Sequence, residues 1–207
     1  MVTRGRTRST ALTETEISRV FADATRGWEP RPEQLQLLAD LAKSKARLIL
    51  VEAPTGIGKS ALAIAFGKLL GEQTTILTAT KSLQNQYERD FEVVKMMGRP
   101  NYTCAENGLT AAEGQCEIVK GFRCDGEYYE MRSALSQARC IVANYPAYLY
   151  DLMYGSLPFA PGLLVADEGH LLLDHLTEFE AVKLESALAK SQGMPVNGWS
   201  SLREAQS

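Results

Sequence analysis

Leu48-Ile49-Leu50-Val51-Glu52-Ala53-Pro54-Thr55-Gly56-Ile57-Gly58-Lys59-Ser60 decides the fold. Four apolar residues run into a loop of pattern A-x-x-x-x-G-K-S, and the next stretch, Ala61 to Leu70, is apolar at helical spacing. Strand, glycine-rich loop and helix in that order make a phosphate-binding unit. The glycines let backbone N–H groups turn inward on phosphate oxygens, the lysine reaches the terminal phosphates, and the closing serine hydroxyl suits magnesium. The positive end of the helix dipole points at the same anion. Ala53, Pro54, Thr55, Gly56, Ile57, Gly58, Lys59 and Ser60 are therefore expected to bind a nucleotide, ATP, with Mg2+.

A second apolar run, Gly162-Leu163-Leu164-Val165-Ala166, ends in Asp167-Glu168-Gly169-His170. Two acidic groups thus stand at the C-terminal end of a buried strand, where ligands gather in parallel α/β sheets. Asp167 is placed to hold magnesium through water, and Glu168 to orient or deprotonate the water that attacks a γ-phosphate. The plainer reading of the pair is an acidic helix cap after a strand.

The 207 residues, 45% hydrophobic with formal net charge −3, describe a soluble chain of one domain with additions. The N-terminal arginines, Arg4, Arg6 and Arg8, have no apolar stretch behind them, and no apolar run approaches the length of a membrane span. The expected location is intracellular, cytoplasmic and associated with the nucleoid. The arginine-rich tail reads equally as a nucleic-acid contact and as a solvated terminus. The mildly acidic total requires any basic groove to be local.

Thr13-Glu14-Thr15-Glu16 is a capping-box pattern ahead of Ile17, Val20 and Phe21, which predicts a short helix. Gly27 to Pro32 breaks the chain. Glu33 to Ser44 predicts a helix with Leu35, Leu38 and Leu41 on one face, leading into the strand before the loop. Thr75 to Thr80 reads as the next strand, followed by a helix from about Leu83 to Met97. Strands alternating with helices argue for a parallel sheet with helices on both faces and right-handed crossovers.

From Gly98 to Arg139 the periodicity fades, and all four cysteines fall at Cys104, Cys116, Cys124 and Cys140. In an intracellular chain the choice lies between a metal or iron–sulphur site and ordinary buried thiols. Clustering favours a site, because thiolate ligation stabilises a segment that is poor in apolar residues. Paired C-x2-C spacings, the usual zinc arrangement, are missing from the sequence, which favours iron–sulphur.

These residues resemble the XPD/DinG group of iron–sulphur superfamily-2 DNA helicases over roughly residues 25 to 175. Arg31-Pro32-Glu33-Gln34 is similar to that family's entry motif near the adenine, Glu52 to Ser60 to motif I, and Thr78 to Gln84 to motif Ia. Gly98 to Cys104 resembles the segment supplying the first cluster cysteine, Ile141 to Tyr145 the strand returning from the insert, and Asp167 to His170 the DEAH box. The resemblance implies a P-loop, RecA-like parallel sheet, incomplete here and carrying a cysteine-rich insert. It implies an ATP-driven motor moving 5′ to 3′ on single-stranded DNA, with the cluster domain as part of a strand-separating gate.

By the same resemblance, Lys59, Asp167, Glu168 and His170 form the catalytic set, with His170 relaying nucleotide state, and Gln34 contacts adenine. Ser60 and Asp167 hold magnesium. Thr80, Lys81 and Ser82 meet the DNA backbone, and Tyr102 and Tyr145 either stack on bases or pack in the core. Cys104, Cys116, Cys124 and Cys140 would ligate a [4Fe-4S] cluster. Cys140 departs from the family pattern, since it opens the return strand, a position where cysteine is commonly a small buried hydrophobe.

The implied organisation is a tail and short helix at 1–24, the first part of the motor domain at 25–97 and the insert at 98–140. Return strands and the DEGH box follow at 141–170, then the start of an arch-like insertion or tail at 171–207. Gly169 replaces the usual alanine of the box, and nothing after it resembles the later helicase motifs. The expectation is an N-terminal motor half that needs a second motor domain from another polypeptide, with an unpaired sheet edge. The alternatives are a non-hydrolysing module that binds DNA or a partner, and an unrelated P-loop ATPase or kinase with structural cysteines.

Overall fold

The computed structural model describes residues 12–54, 56–113, 125–153, 157–158 and 160–180. The chain divides into two compact units, residues 1–172 and 173–207. The first unit holds a sheet of four strands, β1 (Thr74–Thr78), β2 (Val94–Met96), β3 (Cys140–Asn144) and β4 (Leu163–Ala166). Their order is β2-β3-β1-β4 and every pairing is parallel, with Ile76 opposite both Val142 and Val165. The expected parallel α/β architecture is present.

Helices α1 (Glu14–Ala24), α2 (Pro32–Lys43) and α3 (Lys59–Leu70) lie on one face of this sheet. Thr13 caps α1 through the expected box, its hydroxyl accepting from Glu16 N and its own N–H donating to the Glu16 carboxylate. α2 starts with Pro32 in its first turn, where no N–H is needed. α3 ends at Gly71, whose left-handed backbone (φ 70°) lets its N–H return to Gly67 O and Lys68 O.

Alternation along the strands sorts the core into two layers. Ile76 and Val142 join Ile17, Phe21, Leu38 and Ala65 under α1 to α3. Leu77, Ile141 and Ala143 face the other way, toward Met96 and toward Leu135, Tyr145 and Tyr148 of α5 (Glu127–Gln137) and α6 (Tyr145–Met153). Helices therefore cover both faces. The second unit is described only over residues 173–180, the remainder of α7 (Leu172–Glu180), where Thr177 Oγ1 donates to Leu173 O.

Three sequence expectations are corrected. The helix after β1, α4 (Lys81–Asp90), stops seven residues before Met97, because Phe91 turns extended and Val94-Lys95-Met96 becomes strand β2. Adjacent Val93 and Val94 favour the pleated conformation over another helical turn. The segment before β3, read as aperiodic, forms α5, and α6 follows β3 directly. The run Leu48–Val51 joins no strand, and Leu48 and Leu50 are 89% and 95% exposed. An apolar run requires burial but does not supply a partner edge. The neighbouring edge strand β4 has Leu164 48% exposed, so one face there lacks a covering layer that would reward pairing.

Gly67 tests the packing of α3 on β1. Alanine normally favours a helix interior by about 1 kcal/mol over glycine, yet a Cβ at Gly67 would collide with the Thr74 side chain. Gly67→Ala should lower stability by about 1–3 kcal/mol, read from the urea midpoint. A raised midpoint would mean that α3 does not rest on Thr74.

Candidate nucleotide-binding site

The loop before α3 is shaped by its two glycines. Gly56 and Gly58 take φ of 83° and 84°, a left-handed region open to glycine at little cost. Gly58 is the N-cap of α3, so the first free N–H groups of that helix open onto the loop. Thr55 lies outside the described residues.

The loop is braced from α2. Gln34 Oε1 accepts from Arg31 N at 2.8 Å, and its Nε2 donates to Ile57 O at 2.7 Å. Arg31 Nη1 donates to Gly56 O at 3.1 Å. A Cβ on Gly58 would approach Gln34 Nε2 to 2.7 Å, so glycine there serves close approach as well as backbone conformation. In this structure Gln34 is a loop brace with both ends of its amide engaged. Lys59 Nζ donates to Ala53 O at 3.2 Å and is otherwise exposed, which folds its charge back over the cradle.

The acidic side of the site is an extension of the sheet. Asp167 N donates to Leu77 O at 2.9 Å, carrying the β1–β4 ladder one residue past β4. The Asp167 carbonyl accepts from Tyr145 Oη at 3.0 Å, and its Oδ1 accepts from Glu168 N at 3.1 Å. Tyr87, buried in α4, donates its hydroxyl to Asp167 Oδ2 at 2.9 Å, with the Ser60 side chain in its surroundings. Burial, then the nearby Asp167 charge, push the Tyr87 pKa far above the ordinary tyrosine range, so it is a neutral donor. One hydroxyl of α4 thus anchors the acid after β4. The helix predicted at 83–97 contained Tyr87. Nothing in the sequence assigned it to the site.

Glu168 takes φ 55° and ψ 46°, a left-handed conformation costly for a residue with a side chain. The Glu168 carboxylate is exposed, with His170 Nδ1 3.4 Å from its Oε2. At the first turn of α4, Thr80 Oγ1 caps Leu83 N at 3.2 Å, Lys81 Nζ donates to Asn101 Oδ1 at 2.5 Å, and Ser82 is exposed.

Tyr102 and Tyr145 do not offer stacking faces. They are 8% and 0% exposed, Tyr102 packed against Tyr128 and Tyr145 inside the β3 core. Each hydroxyl is fixed, the Tyr102 oxygen accepting from Met97 N and Tyr145 donating to Asp167 O. The core reading of both tyrosines replaces the stacking one, because a packed ring has no face left for a base.

Cys116 and Cys124 lie outside the described residues. Cys104 is buried beside the Thr103–Thr110 bridge. Cys140 packs with Val142 against the α1–α3 core, and burial pushes its thiol up to about 12. Among the described residues no three metal-ligating side chains converge, and no helix is long and apolar enough to cross a membrane.

A glycine loop at a helix start, facing an acid pair at the carboxyl edge of a parallel sheet, defines a P-loop nucleotide-binding domain of the α/β class. The chain belongs to the family described as type III restriction enzyme, res subunit (ResIII), which matches residues 27–192. It is 32% identical to the ATP-dependent DNA helicase YoaA of Haemophilus influenzae, over 45% of this chain and 18% of that protein. It is 37% identical to the ATP-dependent DNA helicase DinG of Escherichia coli, over 40% of this chain and 14% of that protein. The match spans less than a fifth of either relative's length. The resemblance to DinG-type helicases stands on these matches together with the RecA-like sheet.

The two loop glycines make an internal comparison. Gly56 has open space around its missing Cβ, whereas Gly58 faces Gln34. Gly56→Ala should cost only the left-handed strain, about 1–2 kcal/mol. Gly58→Ala should cost distinctly more and release Gln34 from Ile57, visible in the thermal midpoints of the two variants. Equal losses would refute the Gln34 brace.

Proposed function

We propose that this chain is the ATP-binding motor domain of a DinG-like, iron–sulphur type DNA helicase that moves 5′ to 3′ along single-stranded DNA. The observation that carries the reading is the Tyr87 hydrogen bond to Asp167, which fixes the acid at the carboxyl end of the sheet beside a glycine loop that opens a helix. Hydroxyl and carboxylate oxygens are the donors a hard divalent cation takes, so the residues fit Mg–ATP. Magnesium, when bound, would neutralise charge on the β- and γ-phosphates. Lys59 and the N–H groups at the start of α3 would bind those phosphates, and Ser60 and Asp167 would orient the metal. Glu168 would position the attacking water, and exposed His170 would report the state of the site to a covering surface.

Lys59, Glu168 and His170 all face outward. We assign the covering surface to a second motor domain, which would supply the remaining transition-state charge; related NTPases gain about 10³–10⁵ in rate from such an arginine. Single-stranded DNA would run across the first turn of α4, where Thr80, Lys81 and Ser82 offer hydroxyls and a cation to the sugar–phosphate backbone.

For the cluster, Cys104, Cys116 and Cys124 are the proposed ligands, and Cys140 is excluded from the set. The support is strand alternation. Cys140 shares the β3 face of Val142, under α1 to α3, whereas the insert packs through Tyr102, Tyr128 and Met131 on the side of Ile141 and Ala143.

Two measurements test these assignments. Lys59→Ala should weaken Mg–ATP binding by about a hundredfold or more, read by titration with a fluorescent ATP analogue; unchanged affinity would remove the nucleotide site. After anaerobic purification, Cys140→Ser should keep the iron and sulphide content of the wild type, while Cys104→Ser should lose it. Iron lost from Cys140→Ser would restore that cysteine as a ligand.

A further inference from the structure

Helix α4 touches both ends of the proposed machinery. Its N-cap, Thr80, and the exposed Lys81 and Ser82 lie at the proposed DNA contact. Seven residues on, about 10 Å along the axis at 1.5 Å per residue, Tyr87 holds Asp167 Oδ2. Between these points the helix has little freedom to bend or turn. Gln84 is fully buried and donates from Nε2 to Met96 O at 2.9 Å, and Tyr87 packs on Phe91 with ring centres 5.8 Å apart. At the far end Arg26 ties the helix to the α1–α2 connection, Nη1 donating to Arg89 O at 2.7 Å and Nη2 to Phe91 O at 2.8 Å. A push on the first turn must therefore be taken up by the whole helix.

Two features mark this position as one of two. Gln84 Oε1 is buried without a hydrogen-bond partner, a cost that a small shift of α4 would relieve. The Tyr87 hydroxyl also occupies an oxygen of Asp167, the group that a cation would draw on. Metal between Ser60 and Asp167 and the present Tyr87 hydrogen bond to Asp167 compete for one carboxylate.

We propose that α4 is the coupling element of this domain, with Tyr87 as a positioning residue that makes magnesium binding at Ser60 and Asp167 sensitive to single-stranded DNA at Thr80–Ser82. The inference rests on the nucleotide and DNA reading above. By linkage, DNA that shifts α4 changes the affinity for magnesium, and magnesium changes the affinity for DNA by the same factor.

The test is a magnesium titration of fluorescent ATP-analogue binding to the full chain, with and without a saturating oligo(dT), in wild type and Tyr87→Phe. Wild type should show a severalfold shift in the magnesium midpoint on adding DNA. Tyr87→Phe keeps the buried ring and should bind both ligands, yet show one midpoint with or without DNA. A shift of wild-type size in Tyr87→Phe, or a wild type that binds nucleotide and DNA with no shift, overturns the coupling alone. A wild type that binds no nucleotide overturns the functional reading beneath it. Hydrogen exchange on the wild type supplies an arm free of any variant: Mg–nucleotide should change exchange of the α4 amides Leu83–Tyr87, and unchanged rates overturn the proposal.

Discussion

Everything in this domain is registered to β1. All five of its residues are buried, and it is a central strand of the sheet, hydrogen-bonded to β3 on one side and to β4 on the other. A strand so placed cannot slip, because a one-residue shift would exchange Ile76 and Leu77 between the two core layers. Its carboxyl end then fixes two further positions. Leu77 O accepts from Asp167 N, which sets the acidic turn, and Thr78 leads through Ala79 into Thr80, the cap of α4. The metal-side acid and the start of the coupling helix are thus placed by one strand within three residues of each other's supports.

The phosphate loop obtains its position differently. With Leu48–Val51 outside the sheet, the loop is located by α3 behind it and by the Arg31–Gln34 brace beside it. The brace is economical because Gln34 uses both ends of one amide, and removing either partner would leave a buried polar group unsatisfied, at about 1–3 kcal/mol. α2 is a suitable base for it, since Leu38 is buried among the α1 and α3 side chains and Pro32 fixes where the helix begins.

Much of this was legible in the sequence where a local signal and its physical cause coincide. The Thr13–Glu16 box, the glycines at Gly56 and Gly58, and the apolar spacing from Ala61 to Leu70 are such local signals. The apolar runs at Thr75, Ile141 and Leu163 became strands because partners existed on both sides or in the core. The same kind of run at Leu48 did not, since pairing is a property of neighbours and not of the run. The roles of the tyrosines were illegible for a related reason: a phenol reads alike whether its ring stacks on a base or fills a core, and only the tertiary fold distinguishes Tyr145 under β3 from an exposed ring. Tyr87 fell inside a predicted helix, but its link to Asp167 spans eighty positions of sequence.

The identity of the group between Ser60 and Asp167 also has an electrostatic logic. A lysine at position 87 would pair with Asp167 and cancel the charge that a divalent cation needs, at full Coulombic strength in a partly buried site. A phenylalanine would leave Asp167 Oδ2 without its anchor, free to adopt other rotamers. A buried tyrosine holds the carboxylate in one orientation while leaving its full negative charge in place, because the phenol stays neutral and donates a single hydrogen bond. A neutral donor is also the easier one to displace: a cation would offer the carboxylate far more than a phenol does, so under the proposed reading the contact that organises the site without magnesium would give way to it. The exposed Lys59, folded back on Ala53 O, follows the same rule on the other side of the loop, where a weak backbone hydrogen bond holds a charge until a phosphate replaces it.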